Sequence, residues 1–187
     1  MADKILLQLN ETSTIFGGFQ TKTKLSCPSE CGKCCFKPDI RCTPYELLPL
    51  AFHLIQNGCA TEFLEKAERR KNDQCILLQI TDKENEHGYC SNYVFRPFIC
   101  RVFGVASRIN KYGVVEPSLC SLFKNNKQHF SDIDLNSSPL IDVWKKKLEG
   151  LDPNLSEKEI PINQALAFIL EKVLLAESLG SERCKIF

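Results

Sequence analysis

Four cysteines lie within nine residues, in the stretch CPSECGKCC at positions 27–35. The chain has 11 cysteines in all, an odd number that a set of intramolecular disulfides cannot use completely. Its first residues, MADKILLQLN, hold an apolar run of only three residues. That run is too short for a secretory signal, so we expect a cytoplasmic protein. Because the cytosol keeps thiols reduced, the cluster favours metal binding over disulfide bridging.

The spacing of these four cysteines limits the kinds of metal site that they can form. Cys31 and Cys34 form a CxxC loop, which can turn two thiolates toward one ion. Cys34 and Cys35 are neighbours, and side chains one residue apart diverge on a helix or a strand. We therefore expect the cluster to serve two ions or two corners of a metal cluster, and not to form a zinc ribbon with two separate CxxC loops.

Further ligands must come from later in the chain, where cysteines lie close to apolar and aromatic residues. The candidates are Cys75, Cys90, Cys100 and Cys120. Cys100 lies in the sequence RPFICR, close to Arg96 and Arg101. Several thiolates around an ion leave negative charge that is costly to bury, and these arginines can lower that cost by donating hydrogen bonds to sulfur. We expect Pro97 to fix the turn that aims Cys100.

The composition is that of a globular protein and excludes several classes of partner. Lys and Arg total 24 against 23 for Asp and Glu, so no strong field draws the chain to nucleic acid or to anionic lipid. The most apolar window, ALAFILEKVLLAESLG, contains Glu171 and Lys172, so we expect no membrane span. A metal ion is the partner that the sequence predicts.

The local patterns predict a small α+β fold, mainly α with short β-strands and an irregular cysteine-rich metal-binding region. At 187 residues the chain is long enough for one domain with a core. We expect this single domain to have three parts. They are an N-terminal segment (1–26), a cysteine-cluster region (27–124) and C-terminal helices packed on it (125–187).

Helix signals are strongest after the cysteine cluster and near the end of the chain. Thr43, Pro44 and Glu46 form a capping box with proline at the first helical position, and Pro49 predicts a kink or a restart in that helix. TEFLEKAERRKN predicts a second helix. Two more helices are expected in LIDVWKKKLEG and in PINQALAFILEKVLLAESLG, where apolar residues form one stripe.

Strand signals are shorter and weaker. Residues 1–26 show strand-like alternation around a glycine pair, and CILLQI (75–80) has the composition of a buried strand. Pro97 predicts a short helical turn, and RVFGVASR and INKYGVV then predict two short strands joined by a turn.

Other interpretations of single residues stay open at this stage. Cys31 and Cys34 also match a redox-active CxxC pair, although such a pair normally opens a helix after a buried strand. His87 is a possible extra ligand because it lies close to Cys90 in the sequence. The remaining cysteines are expected to be ordinary thiols; they are Cys42, Cys59 and Cys184.

These motifs together resemble a known family. CPSECGKCC, then TPYE, then the later cysteines and RPFICR are similar to the bacterial cysteine-cluster family of YkgJ type, which is described as a zinc- or iron-chelating domain. The resemblance covers about Cys27 to Cys120. It implies that Arg96, Pro97 and Arg101 support the site. It also implies as ligands Cys27, Cys31, Cys34, Cys35, Cys75, Cys90 and Cys100, with Cys120 a weaker match.

Three hypotheses for the function follow. The first is a cytoplasmic protein that holds zinc, iron or an iron–sulfur centre through its clustered thiolates. The second is an iron–sulfur enzyme for methyl transfer or redox chemistry, since flagellin lysine N-methylases have a similar cluster. The chain shows no glycine-rich cofactor loop after a strand, which weighs against this alternative. The third is an interaction module that docks through its C-terminal amphipathic helix.

Overall fold

The fold is α+β, as the sequence predicts, with the strands confined to small sheets. The computed structural model describes residues 1–25, 27–28, 30–102, 104–120 and 137–179. The helices are α1 (Ala2–Thr23), α2 (Leu48–Gln56), α3 (Ala60–Arg69), α4 (Phe98–Val102), α5 (Ile141–Glu149) and α6 (Ile162–Ser178), with 3₁₀ turns at Pro44–Leu47, Tyr93–Phe95 and Pro153–Ser156.

The strands pair two by two, and every pair is antiparallel. The strands are β1 (Arg41–Cys42), β2 (Leu78–Asp82), β3 (His87–Cys90), β4 (Val105–Ile109), β5 (Val115–Leu119) and β6 (Ile160–Pro161). β2 pairs with β3, and β4 pairs with β5, each as a hairpin. β1 pairs with β6, so the chain after the cysteine cluster is joined to the segment that leads into the last helix.

The N-terminal segment is a helix, and the expected strand-like character of residues 1–26 is wrong. The buried residues of α1 are Ile5, Leu9, Thr12, Phe16 and Phe19, which recur every three to four positions and form one face of a helix. The threonines fit this helix because their hydroxyl groups donate to carbonyl oxygens one turn earlier. α1 ends at Lys24, whose φ of 56° is left-handed.

The capping box and the restart after it are both present. The Glu46 carboxylate accepts from the backbone N–H and the hydroxyl of Thr43 at 3.0 and 3.2 Å. A 3₁₀ turn begins at Pro44 and gives way to α2 at Leu48. Pro49 lies in the first turn of α2, where its missing N–H leaves no hydrogen bond unmade.

The strand expected at 75–80 is displaced along the chain. Cys75, Ile76 and Leu77 are buried but form a turn, and β2 begins only at Leu78. Ile80 is 41% exposed, so the strand itself lies at the surface. The apolar run therefore predicts correctly that residues 75–77 are buried, but these residues do not form the expected strand.

The C-terminal helices cover the rest of the fold. α6 packs on α2, α3 and the 3₁₀ turn at Pro44–Leu47, while α5 packs on α1 and β4. Of the predicted stripe of α6, Ile162, Leu166, Ile169, Leu170 and Val173 are buried, and Leu174 is half-buried. Its expected end at Gly180 lies outside the described residues. Within the described ranges, no helix combines the length and the apolar character needed to cross a bilayer. The division of the chain near residues 26 and 124 stays a prediction.

Candidate metal centre

Cysteines from distant parts of the chain line one open cleft. Its volume is about 680 Å³, and α1 contributes Asn10, Ser13, Gly17 and Gln20 to its lining. The cysteines that line it are Cys27, Cys31, Cys34, Cys35, Cys90 and Cys100. The fold thus brings the early cluster, the end of β3 and α4 to the same place.

A second, much smaller cavity lies beside this cleft. It has a volume of about 20 Å³, room for about one water-sized sphere. Its lining consists of four thiols and three isoleucines, namely Cys34, Cys35, Cys75, Cys100, Ile40, Ile99 and Ile162. Cys34, Cys35 and Cys100 line both spaces.

Backbone hydrogen bonds hold the cluster against the hairpin β2–β3 and the segment before it. The N–H of Cys75 donates to the carbonyl of Cys35 at 3.0 Å, and that of Gly88 donates to Glu30 at 2.8 Å. Gly88 must be glycine, because a Cβ there would lie 2.4 Å from the carbonyl oxygen of Gln79. The thiols are therefore fixed by main-chain contacts between stretches that are about 40 to 58 residues apart in the sequence.

The neighbouring cysteines do not diverge as expected. Residues 32–36 form a tight turn, with the N–H of Cys35 donating to Gly32 at 2.7 Å, and the Sγ atoms of Cys34 and Cys35 lie 3.9 Å apart. Zn–S bonds of about 2.3 Å in a tetrahedral site put two ligand sulfurs about 3.8 Å apart. Cys34 and Cys35 are thus spaced for one shared ion.

Burial keeps most of these thiols protonated. It raises the pKa of Cys75 to about 12, and it also raises those of Cys90 and Cys100. The pKa of Cys27, an exposed residue, is raised to about 11 by desolvation of its sulfur within the cleft and by the charges of neighbouring cysteines. The hydrogen bond between Cys34 and Cys35 lowers the pKa of Cys34 and raises that of Cys35, because one thiol stabilises the thiolate of the other.

Backbone N–H groups and Arg96 oppose the effect of burial on the pKa of these cysteines and favour their thiolates. Backbone N–H groups point at sulfur, those of Leu77 and Leu78 at Cys75 and that of Asn92 at Cys90, and they lower the pKa of these thiols. The positive charge of Arg96 lowers the pKa of the cysteines that surround it, which are Cys27, Cys34, Cys90 and Cys100.

The two arginines beside Cys100 have different environments. Arg96 lines the open cleft and stacks on the ring of Tyr93 with its Cζ 3.5 Å from the ring centroid. Arg101 is 7% exposed, and its guanidinium donates to the carbonyls of Leu9, Val94 and Arg96 and to the side chains of Asn10 and Ser13. The hydrogen bonds of Arg101 run to oxygen, where the sequence suggested sulfur, because α1 lies within its reach.

Pro97 is buried and precedes α4, whose N–H at Cys100 donates to the Pro97 carbonyl at 3.1 Å.

Two buried polar residues next to the centre were missed by the sequence reasoning as site residues. Glu46 accepts from the N–H of Phe98 at 2.7 Å, so the capping residue of one helix also holds the start of the helix that contains Cys100. Asn163 on α6 accepts from the N–H of Ile76 at 3.0 Å and donates to the carbonyls of Arg70 and Gln74, fixing the segment around Cys75. The signal for Asn163 was its place on an otherwise apolar helix face.

The remaining candidates lie at the edge of the site or away from it. Cys120 is half-buried, and its charge raises the pKa of Cys27. His87 is exposed and is bridged to Cys31 through the backbone. Cys42 and Cys59 line neither cavity, and Cys184 lies outside the described residues.

Residues 26–134, more than half of the chain, match the model of the CxxCxxCC family, described as "Putative zinc- or iron-chelating domain". The chain belongs to this family. Its CxxCxxCC domain has three residues between the first two cysteines, where the family name has two. The last of the three, Glu30, adopts a left-handed φ of 57°. No curated protein and no solved structure matches the chain.

The donor set of the CxxCxxCC domain fits the metals in its description. Thiolate sulfur is a soft ligand that suits both zinc and iron. Across the part of the chain that the structure describes, no three His, Cys, Asp or Glu side chains are arranged to hold an ion as they stand. The Sγ atoms of Cys34 and Cys35 have the spacing of two ligands on one ion.

Proposed function

We propose that this protein binds zinc or iron through cysteine thiolates that line the cleft and its adjoining small cavity. The observation that supports this most is the shared lining of the two spaces. Cys34, Cys35 and Cys100 belong to both, and they come from two stretches of chain about 65 residues apart. Four thiols around a void with no other polar group are the donors that zinc and iron–sulfur centres use.

The ligands of this centre come from the eight cysteines that the sequence singles out. They are Cys27, Cys31, Cys34, Cys35, Cys75, Cys90, Cys100 and Cys120. Arg96 offsets the negative charge that several thiolates leave around an ion. A bound ion or cluster joins the stretches at 27–35, 75, 90 and 100, and such a link can contribute on the order of 10 kcal/mol to folding.

The experiment is metal analysis of protein purified without oxygen, with an absorption spectrum. We expect zinc or iron in the wild type and in Cys59→Ser, whose thiol lies outside both cavities. We expect a loss of at least half of that metal in Cys75→Ser and Cys100→Ser. A brown protein with visible absorption and bound iron identifies an iron–sulfur centre, and a colourless protein with bound zinc identifies a zinc site. Wild-type protein that holds no metal, even after incubation with Zn²⁺ or with Fe²⁺ and sulfide, contradicts the proposal.

The more detailed hypotheses stay predictions. A cytoplasmic location is consistent with free thiols. An enzyme related to flagellin lysine N-methylase requires methyl transfer from S-adenosylmethionine by the metal-loaded protein, which isotope-labelled S-adenosylmethionine tests directly.

A further inference from the structure

The cleft that the cysteines line is larger than a metal centre needs. Its volume of about 680 Å³ lies within the range of pockets that hold small organic molecules, about 300–1,000 Å³, whereas one water molecule in the liquid takes about 30 Å³. Residues without thiols line much of it, among them Tyr89, Tyr93, Arg96, Arg101 and one face of α1. An ion held by the cysteines therefore leaves room in the cleft for a further ligand.

The face of α1 that lines the cleft presents hydrogen-bond donors. Asn10, Ser13, Gly17 and Gln20 are three or four positions apart, so they share one side of the helix. The Arg101 guanidinium donates to Oδ1 of Asn10 at 3.2 Å and to Oγ of Ser13 at 2.7 Å. Because a guanidinium only donates, it occupies the two oxygens and leaves the amide N–H groups of Asn10 and the hydroxyl proton of Ser13 for another partner. Arg101 thereby fixes both side chains as donors to a ligand in the cleft.

Arg96 adds a positive charge whose terminal N–H groups bond to no described residue. Its Nε donates to the Tyr93 carbonyl at 3.2 Å, and its guanidinium stacks on the ring of Tyr93. Among the described residues, neither Arg96 nor Arg101 forms an ion pair with a carboxylate, and no hydrogen bond joins Arg96 to a sulfur. Glu30 also lines the cleft, but its carboxylate accepts from the hydroxyl of Thr81 at 3.4 Å. Arg96 is therefore open to an anion.

We propose that this cleft binds a small organic anion whose carboxylate or phosphate group lies on Arg96 and on the donors of α1, beside the metal centre. The inference deepens the proposed function and rests on it, because a bound metal cation reduces the negative charge of the thiolates in the same cleft. The planar guanidinium of arginine matches both carboxylate and phosphate through two parallel N–H donors. Tyr89 and Tyr93 are 52% and 62% exposed and line the same space, so their rings can contact the apolar part of the ligand.

Benzoate and phenyl phosphate are suitable probes, because each joins an aromatic ring to one of the two anionic groups, and benzamide is the neutral control. Ligand-observed NMR with the full-length protein as purified gives the Kd of each probe, and metal analysis of the same sample gives its metal content. We expect at least one anion to bind at least tenfold more tightly than benzamide, and the tighter of the two identifies the group as carboxylate or phosphate. Arg96→Gln should weaken binding of that anion at least tenfold, because it removes the charge.

Gly17 offers a variant that blocks the cleft without removing a charge or a thiol. A Cβ at Gly17 would meet no atom within 4 Å, so Gly17→Leu extends a side chain into the cleft. We expect it to weaken the anion at least tenfold and to keep the wild-type metal content, because no metal ligand changes. Gly18→Leu is the matched control, since a Cβ there is equally free but does not line the cleft, and its Kd should equal that of the wild type. Gly17→Leu decides the outcome where Arg96→Gln also loses metal.

Two results would overturn the inference. Anions that bind no better than benzamide would show that the arginines serve only to balance the thiolates. Equal Kd values for Gly17→Leu and the wild type would show that the anion lies outside the cleft. Either result with metal still bound in the same sample leaves the proposed function intact. A wild type that binds the anion as expected but holds no metal contradicts the proposed function and leaves the cleft as an anion site.

Discussion

Asn163 is a polar residue beside the candidate metal centre that is only 2% exposed. Its amide satisfies the backbone around residues 70–76, and its replacement by alanine leaves several buried groups without partners. Since each such group costs about 1–3 kcal/mol, we expect Asn163→Ala to lower the free energy of unfolding by about 3 kcal/mol. Urea unfolding of the metal-free protein measures this change.

The neighbouring residue Gln164 gives a matched control for that measurement. Its side chain donates to Asn72 at 3.1 Å, but at the exposed surface. We expect Gln164→Ala to change the free energy of unfolding by less than about 0.5 kcal/mol. Equal effects of the two substitutions would show that Asn163 does not hold the Cys75 segment.

Glu46 gives a prediction about pH. Burial raises the pKa of this carboxyl above its ordinary value of 4.5, against the opposing effect of its hydrogen bonds with Thr43 and Phe98. Above pH 4.5 the unfolded chain therefore releases this proton more readily than the folded chain. The stability that Glu46 provides is full below pH 4.5 and is lost as the pH rises through the folded pKa.

Glutamine at this position does not titrate, so Glu46→Gln isolates the effect. We expect the stability of the wild type relative to Glu46→Gln to fall as the pH rises from 4 to 8. Urea unfolding of both metal-free proteins at several pH values measures the difference. A difference that stays constant over this interval would show that Glu46 ionises equally in the folded and unfolded chains.

Among the helices and strands, two glycines should respond in opposite ways to replacement by alanine. Gly18 lies inside α1, and a Cβ there would meet no other atom within 4 Å, whereas a Cβ at Gly88 would meet the Gln79 carbonyl oxygen. We expect Gly18→Ala to raise the free energy of unfolding by about 0.5–1 kcal/mol, since alanine is the better helix former. Gly88→Ala should lower it by about 2 kcal/mol. Thermal unfolding of both variants should therefore shift in opposite directions, and a destabilising Gly18→Ala would show that α1 depends on flexibility at its centre.

The elements that the sequence predicts well are those with a local cause. The Thr43–Glu46 capping box and the prolines at 44, 49 and 97 each act within a few residues, and each has the expected effect. α1 was missed because glycines and threonines weaken its local signal, while its buried face packs on α2, α4 and α5. The strand at 75–80 was misplaced because Ile76 bonds to Asn163, 87 residues away.

The candidate site was likewise predictable only where its signal is local in the sequence. The crowding of Cys27–Cys35 and the RPFICR sequence point to five of the thiols that line the two spaces. Cys75 and Cys90, which also line them, have only apolar and aromatic neighbours as a signal. Their division between a small cavity and a large cleft depends on three isoleucines and on the position of α1, which no spacing encodes. The same holds for Arg101, whose acceptors on α1 lie about 90 residues earlier in the chain.

In the whole molecule, the candidate metal centre lies at the edge of the apolar core. α6 packs on α2 and α3 through buried aliphatic side chains, and this packing needs no metal. Cys75, Phe98 and Val102 belong to the same buried core, and Cys35, Cys90 and Cys100 pack against it. Arg101 then joins α4 to α1, and its guanidinium has no carboxylate partner among the described residues.

Metal removal should therefore loosen the molecule unevenly. We expect chelation to increase backbone hydrogen exchange in the stretches that contain the thiols, which are residues 30–42, 75–78, 87–91 and 98–102. Exchange should also rise in α1 near Asn10 and Ser13, because Arg101 loses its fixed position when α4 is released. Residues 48–69 should stay protected although they lie between the ligands, because α6 covers them.

Cys59→Ser should reproduce this pattern, since its thiol takes no part in the centre. A uniform loss of protection that includes α3 and α6 would show that the metal supports the whole core, and unchanged exchange around the thiols would show that it supports none of it.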